Sequence, residues 1–255
     1  MPTCLIVTAY YRFPSKHSSH SYDEWMKNFL TTIDNPLLVF CEEESVAKIT
    51  QWRTAFPTKT WIFVLPFRNL HCQKIDWQKD WKRDVEQKIH NPNLYIIWNE
   101  KAAFLHRAML LHAQYDFYMW CDIGCFRSAA EMDLFRGEWP SQSFLAKADK
   151  NKMYFLNIEP FQAGELELLP HGLTRSFENV NRIGGTIFLG SKAACENWVL
   201  VYYDYLQKYI DHDYFAGKDQ NILASIYAAH PELFHLVTPK AGEGNPWFYL
   251  QRYFL

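Results

Sequence analysis

Cys4-Leu-Ile-Val-Thr8, Leu37-Leu-Val-Phe-Cys41 and Thr60-Trp-Ile-Phe-Val-Leu65 are short runs rich in β-branched and aromatic residues, and the stretch 4–65 that they punctuate decides the fold. Each has the length of a buried strand. Between the first two, Ser21-Tyr-Asp-Glu24 has the form of a capping box, and Tyr22, Trp25, Met26, Phe29, Leu30 and Ile33 recur at helical spacing. Between the second and third, 45–56 reads as another amphipathic helix, stopped by Pro57. The order β-α-β-α-β needs crossover connections, so it predicts a parallel sheet with helices on both faces.

Downstream, 68–92 reads as a loop with one short helix. Asn99 is expected to cap a helix running from Glu100 to about Gln114. Phe117 to Cys121 reads as a strand leading straight into Asp122-Ile-Gly-Cys125, with further short strands expected within 141–156 and a polar connection over 161–181. A strand over 186–189 is entered through Gly184-Gly185; helices follow over about 192–209 and 220–229, then a short strand over 234–237.

Of the 255 residues, 49% are hydrophobic and 21% charged, which suits a globular chain, read here as a single domain over 1–255. A net charge of −2 gives no reason to expect a nucleic-acid duplex or an anionic membrane surface as partner. No apolar run is long enough for a membrane span, and the start of the chain lacks a leader pattern, which predicts a cytoplasmic location. Six cysteines without a Cys-x-x-Cys pair read as reduced thiols. Aromatic residues make up 17%, more than usual and suited to ring-shaped polar ligands.

Ligands of such sheets bind at the carboxyl ends of the strands. The first strand is followed by Thr8-Ala-Tyr-Tyr-Arg12, with neither Gly-x-Gly-x-x-Gly nor a Walker loop, so the phosphates of any bound nucleotide need a carboxylate-held cation and lysine help. Asp122, past an apolar strand, is the expected carboxylate; it could instead cap the next turn. Gly184-Gly185 could admit a substrate or form a bulge. Asp219-Gln220 could bond sugar hydroxyls or open a helix. Lys101, in the first turn of a helix starting at Glu100, is oddly placed for a cation unless a phosphate lies near, or is simply solvated; Lys16 shares the ambiguity. His235 and Lys240 could serve a metal and a diphosphate, or neither.

Leu94-Tyr-Ile-Ile-Trp-Asn-Glu-Lys101, Tyr118-Met-Trp-Cys-Asp-Ile-Gly124, the Gly-Gly-Thr-Ile-Phe-Leu-Gly190 run and Gly217-Lys-Asp-Gln-Asn-Ile-Leu223 together resemble the HtrL/YibB-like family and, more widely, nucleotide-sugar-dependent glycosyltransferases of the GT-A kind. The resemblance runs from about Thr3 to Val237. It implies an α/β, Rossmann-like three-layer sandwich with a mixed, mainly parallel central sheet. It also implies hexosyl or pentosyl transfer from a nucleoside-diphosphate sugar, a UDP-sugar first, to a glycan or other hydroxyl acceptor, aided by Mn²⁺ or Mg²⁺. On this resemblance Asp122 matches the first carboxylate of an Asp-x-Asp signature, while Gly124 stands where the second would be. His235 is then the expected replacement metal ligand, unless metal dependence is weaker. Asp219 and Gln220 join Asp122 as catalytic candidates. Thr8, Ala9, Tyr10 and Tyr11 occupy the place of the base and ribose, with Lys16, Lys101, Cys121, Gly124, Gly184 and Gly185 along the donor.

Two rivals follow from the residues. The missing second aspartate suits a non-catalytic nucleotide-sugar or glycan-binding protein on the same fold. Cys121 or Cys125 with His106 or His112 could in principle make a thiol hydrolase.

Overall fold

A computed structural model describes residues 1–14 and 17–255. Seven strands, β1 (Cys4–Tyr10), β2 (Leu37–Cys41), β3 (Thr60–Val64), β4 (Phe117–Cys121), β5 (Met153–Asn157), β6 (Ile183–Ser191) and β7 (Phe234–Val237), form one sheet in the order β3-β2-β1-β4-β6-β5-β7. The first four are mutually parallel; β6 runs against β4 and β5, and β7 is parallel to β5. Strand direction therefore reverses only at β6 among the described residues, the mixed and mainly parallel pattern expected.

Among the described residues eight α-helices accompany the strands: α1 (Ser19–Thr32), α2 (Glu43–Trp52), α3 (Gln78–Arg83), α4 (Pro92–Leu111), α5 (Gln142–Leu145), α6 (Lys192–Asp211), α7 (Asp219–Ala229) and α8 (Leu250–Tyr253). Alternation along the strands sorts the core into two layers. Leu5, Val7 and Ala9 join Tyr118 and Trp120 under α4, α6 and α7, whereas Cys4 and Ile6 join Phe117 and Met119 under α1, α2 and α8.

Some boundaries differ from the reading of the sequence. Ser18, not Ser21, caps α1: its hydroxyl accepts from the Ser21 N–H at 3.1 Å. α4 begins two turns earlier than expected, because Asn91-Pro92 supplies both the cap and a first residue that needs no N–H partner. Asn99 is then buried in mid-helix, its amide donating to the carbonyls of Tyr95 and Ala216. Over 141–156 a single strand, β5, follows the short α5. β6 starts three residues earlier than expected, so both glycines lie inside it.

The strands β1, β2 and β3 are laid down in one direction from β1, and β4 then pairs with its other side. This switch point opens a crevice beyond the carboxyl ends of β1 and β4. The Phe104 ring stacks on Trp120, centroids 5.6 Å apart, fixing α4 over β4 and carrying Lys101 to the crevice.

Candidate functional site

Asp122 is the first residue past β4. Its N–H donates to the Thr186 carbonyl at 2.8 Å, so the end of β4 is tied to β6. Two residues back on the same face, the Trp120 indole donates to Asp122 Oδ1 at 2.6 Å. Asp122 Oδ2 accepts no hydrogen bond among the described residues, and the side chain is 30% exposed to a cleft of about 340 Å³. The alternative role as a cap of the next turn does not hold: the side chain turns back to Trp120 and Lys101.

Lys101 is the hinge of the site. Its ammonium lies 3.4 Å from Asp122 Oδ1 and 3.0 Å from Asp219 Oδ2, donates to the Gly185 carbonyl at 2.7 Å, and stands over the Trp120 ring. Neither solvated nor in a first turn, it is buried in the middle of α4. Burial works to lower its pKa, but the two carboxylates outweigh that and hold it above the ordinary lysine value. Asp122 shows the opposite balance. Burial, aided by the charge of Asp219, pushes its carboxyl up against the pull of Lys101 and the Trp120 indole.

Asp219 opens α7 behind Lys218, and its side chain makes no capping bond. It reaches Lys101 because of Gly185: a Cβ there would lie 2.4 Å from Asp219 Oδ2. Gly184 is tight as well, since a Cβ would meet Ile158 at 3.1 Å. The glycine pair therefore serves close approach. Gln220 lines the same cleft, as do Arg127, Thr186 and Trp247. Arg127, which the sequence did not single out, lies between the Trp25 and Phe248 rings at 4.2 and 4.8 Å. Thr186 Oγ1 donates to the Trp247 carbonyl at 2.9 Å, pinning the C-terminal Asn245-Pro-Trp-Phe248 segment to the cleft rim.

A neighbouring hollow of about 540 Å³ is lined by Ala9, Tyr10 and Tyr11, with Tyr22 shared between the two. Tyr11 is mostly structural, its hydroxyl donating to the Leu65 carbonyl. Thr8 is enclosed within β1 and does not line either space. Lys16 lies outside the described residues. Cys121 sits beneath the site, fully buried, its sulfur 3.3 Å from that of Cys125. Burial raises its thiol far above the ordinary value, which speaks against Cys121 as the thiolate of the rival hydrolase. Gly124 approaches the Tyr22 ring rather than the cleft cations.

His235 is not brought to the cleft. It stands inside β7, paired opposite Tyr154 and stacked on that ring at 4.5 Å, with β6 and β5 between it and β4. A residue within the ladder of an edge strand cannot reach a site beyond the strand ends, so its expected role as metal ligand falls.

The other wall of the cleft carries Glu86, His90, Trp98 and Lys218. Behind them is buried Asp84, whose Oδ2 faces His90 Nδ1 and accepts from the Tyr95 hydroxyl, both at 2.7 Å. Donor atoms of Asp84, Glu86 and His90 lie within 4.8 Å of one another, the dimensions of a cation site. The Lys218 ammonium already holds that place, 3.2 Å from Asp84 Oδ1 and 2.7 Å from Glu86 Oε2. Asp84, Glu86 and His90 were not singled out in the sequence. The signal was there as an Asp-x-Glu-x-x-x-His run in a segment without periodicity.

No curated protein matches the sequence. Among solved structures, the chain is similar to mouse xyloside xylosyltransferase 1 in its apo form, at 13% identity and a TM-score of 0.50 over 92% of this chain and 84% of that one. It is also similar to core-mannan synthase A of Aspergillus fumigatus in its Mn/GDP form, at 9% identity and a TM-score of 0.55 over 98% of this chain and 80% of that one. At such identities the likeness speaks for the fold, which is of the GT-A type. A family model described as "Bacterial protein of unknown function (HtrL_YibB)" matches residues 6–255, and the chain belongs to that family.

Proposed function

We propose that the protein transfers a glycosyl group from a nucleoside-diphosphate sugar, a UDP-sugar first, to a hydroxyl of a glycan or similar acceptor. The observation that carries this reading is the Lys101-bridged pair of Asp122 and Asp219 at the switch point of a GT-A sheet, one carboxylate open to a cleft. In such a transfer the bond from the anomeric carbon to the diphosphate oxygen breaks while the acceptor oxygen bonds to that carbon and gives up its proton to a neighbouring base or to the departing diphosphate. Negative charge grows on the departing diphosphate, so groups that meet it there stabilise the transition state more than the ground state.

Asp122 anchors the donor through its open oxygen. Asp219 and Gln220 face the sugar hydroxyls. Lys101 keeps two carboxylates side by side that would otherwise repel, while Arg127 and Lys218 line the cleft as cations for the diphosphate. Tyr10, on the half-open hollow beside the cleft, offers a ring to the base. A Mn²⁺ or Mg²⁺ ion fits the donor set as one carried by substrate: Asp122 Oδ2 would supply the protein ligand, the diphosphate and water the remainder, and its charge would neutralise the leaving group. Among the described residues no helix is long and apolar enough to cross a membrane.

Gly124, in place of a second carboxylate, favours one other reading: a protein that binds the donor without turnover. Incubation with UDP-sugars and Mn²⁺, reading released UDP and the rise in melting temperature, separates the two. A transferase releases UDP slowly even to water, and Asp122→Asn lowers that release by about 100-fold or more. Stabilisation by the donor without release, across varied acceptors, leaves the binding protein. Neither stabilisation nor release by any nucleotide sugar refutes both.

A further inference from the structure

A transferase cleft must also seat its acceptor. Resting on the reading above, we propose that the wall formed by His90 and Trp98 is the acceptor subsite. A pyranoside lies against the Trp98 ring there, and its attacking hydroxyl donates to His90 Nε2. Asp84 is the positioning residue that keeps this nitrogen an acceptor.

The imidazole is held on three sides. Trp98 and Tyr95, both from α4, meet it edge-on at 5.1 and 6.5 Å, and Asp84 Oδ2 faces Nδ1 at 2.7 Å. Asp84 is sealed from solvent, 1% exposed. Burial pushes its carboxyl up, but His90, the Tyr95 hydroxyl, the Glu86 N–H and Lys218 outweigh burial and bring it down to about 2. It is therefore ionised and can only accept, so Nδ1 carries a proton toward it, and in the neutral ring Nε2 is left with its lone pair.

A structural histidine normally has both nitrogens engaged. Here the side chain is only 7% exposed, yet Nε2 makes no hydrogen bond among the described residues, and Glu86 Oε2 lies 4.0 Å from it. That polar atom belongs to a side chain lining the same cleft as Asp122 and Gln220. The charged groups around the ring are Asp84 and Glu86 from the segment between α3 and α4, and Lys218 from the residue before α7. Trp98, half-buried on the same wall, supplies the flat apolar face that a pyranose ring needs beside a hydrogen-bond acceptor. Donor and acceptor thus meet across one cleft, the donor on the strand ends and the acceptor on the α3–α4 side.

The test uses the whole chain, UDP-hexoses as donors and a set of p-nitrophenyl α- and β-hexopyranosides as acceptor probes, reading UDP release. Pyranosides are expected to raise release above that to water, with saturation. His90→Ala raises the half-saturating pyranoside concentration about tenfold or more, the loss of one well-made hydrogen bond, while donor-induced stabilisation persists. His90→Gln, whose amide oxygen can accept, recovers part of the loss. Acidification weakens pyranoside saturation in the unmodified protein but not in His90→Gln, since protonation of the ring removes the acceptor atom. Asp84→Asn, tested below its melting temperature, lets the ring take the other tautomer and acts like His90→Ala. Unchanged saturation in His90→Ala overturns the subsite, as does donor hydrolysis that no pyranoside stimulates. Absence of both donor stabilisation and UDP release in the unmodified protein is a different result, and takes down the transferase reading itself.

Discussion

Asp122 lines the cleft and Asp84 lies buried behind its opposite wall, and each shares a lysine with a second carboxylate: Asp122 with Asp219 through Lys101, Asp84 with Glu86 through Lys218. Their carboxyls are nevertheless displaced in opposite directions. Asp84 has its oxygens met by an imidazole, a phenol, an N–H and an ammonium, and is held at about 2. Asp122 has one oxygen met and one left open, and burial pushes it up. A fully satisfied carboxylate braces the fold; a half-satisfied one is held at a cost that a ligand can relieve. On this comparison the Asp84 wall is preformed and the Asp122 wall keeps one oxygen free for a ligand.

The comparison breaks most visibly at the lysines. Lys101→Met leaves Asp122 and Asp219 as uncompensated charges around a buried centre and is expected to cost about 3–5 kcal/mol in denaturant unfolding. Lys218→Met removes a lysine whose partner Glu86 is 45% exposed, while Asp84 keeps its other three partners. It is expected to cost about 1 kcal/mol. Equal losses would show that the two clusters do not differ as argued.

Acid sharpens the same contrast. Asp84 lies below the usual carboxylate value of 3.8 when folded, so its contribution is present above that value and is lost as pH falls toward about 2. Asp84→Asn is accordingly expected to lose about 2 kcal/mol at neutral pH and to flatten the acid side of the stability curve. Asp122 is raised when folded. Its ionised form is disfavoured by folding, so whatever it contributes is fully present below the usual value and disappears as pH rises through the raised one. Asp122→Asn should then be as stable as the unmodified protein at neutral pH, or more so, while UDP release collapses. Urea midpoints between pH 3 and 8 decide both.

Gly185→Ala probes the geometry rather than the charge. The added Cβ falls 2.4 Å from an Asp219 oxygen that Lys101 holds in place, so the carboxylate must move. About 1–2 kcal/mol of stability is expected to go, with a larger fractional loss of UDP release. Gly172→Ala, in a turn with open space around it, controls for glycine replacement in general, although its positive φ of 81° adds strain of its own.

The parallel half of the sheet was readable because buried strands separated by amphipathic helices leave an unambiguous pattern, and Leu37–Cys41 and Phe117–Cys121 coincide with β2 and β4. Asp122 and Asp219 drew attention because each sits at a strand or helix end, whereas the glycine pair, read as a strand entrance, lies inside β6. Lys101 was noticed for a mistaken reason. Placing the helix start at Asn99 made it a first-turn cation, whereas its meaning comes from contacts with residues 21 and 118 positions away in the chain, which no local pattern encodes. Asp84 and His90 were passed over because their segment has no period, and the short α3 with its flanking turns is ordered by tertiary contacts such as the Arg83–Glu178 ion pair.

The smallest effect is expected at the residue that the sequence offered as a metal ligand. His235 sits in β7 with its ring stacked on Tyr154 and its Nε2 3.3 Å from the Tyr253 hydroxyl, on the side of the sheet that holds α8. Burial keeps its pKa below the ordinary imidazole value, as suits a neutral ring in an aromatic cluster. His235→Gln preserves polarity at that hydroxyl and loses only the stacking, so about 1 kcal/mol of stability is the expected limit. UDP release and its response to Mn²⁺ should stay within twofold of the unmodified protein. A loss of Mn²⁺ response in His235→Gln, with the fold intact by circular dichroism, would mean that β7 bends toward the switch point during turnover. The contrast between an open Asp122 wall and a preformed Asp84 wall would then have to include a third, mobile one.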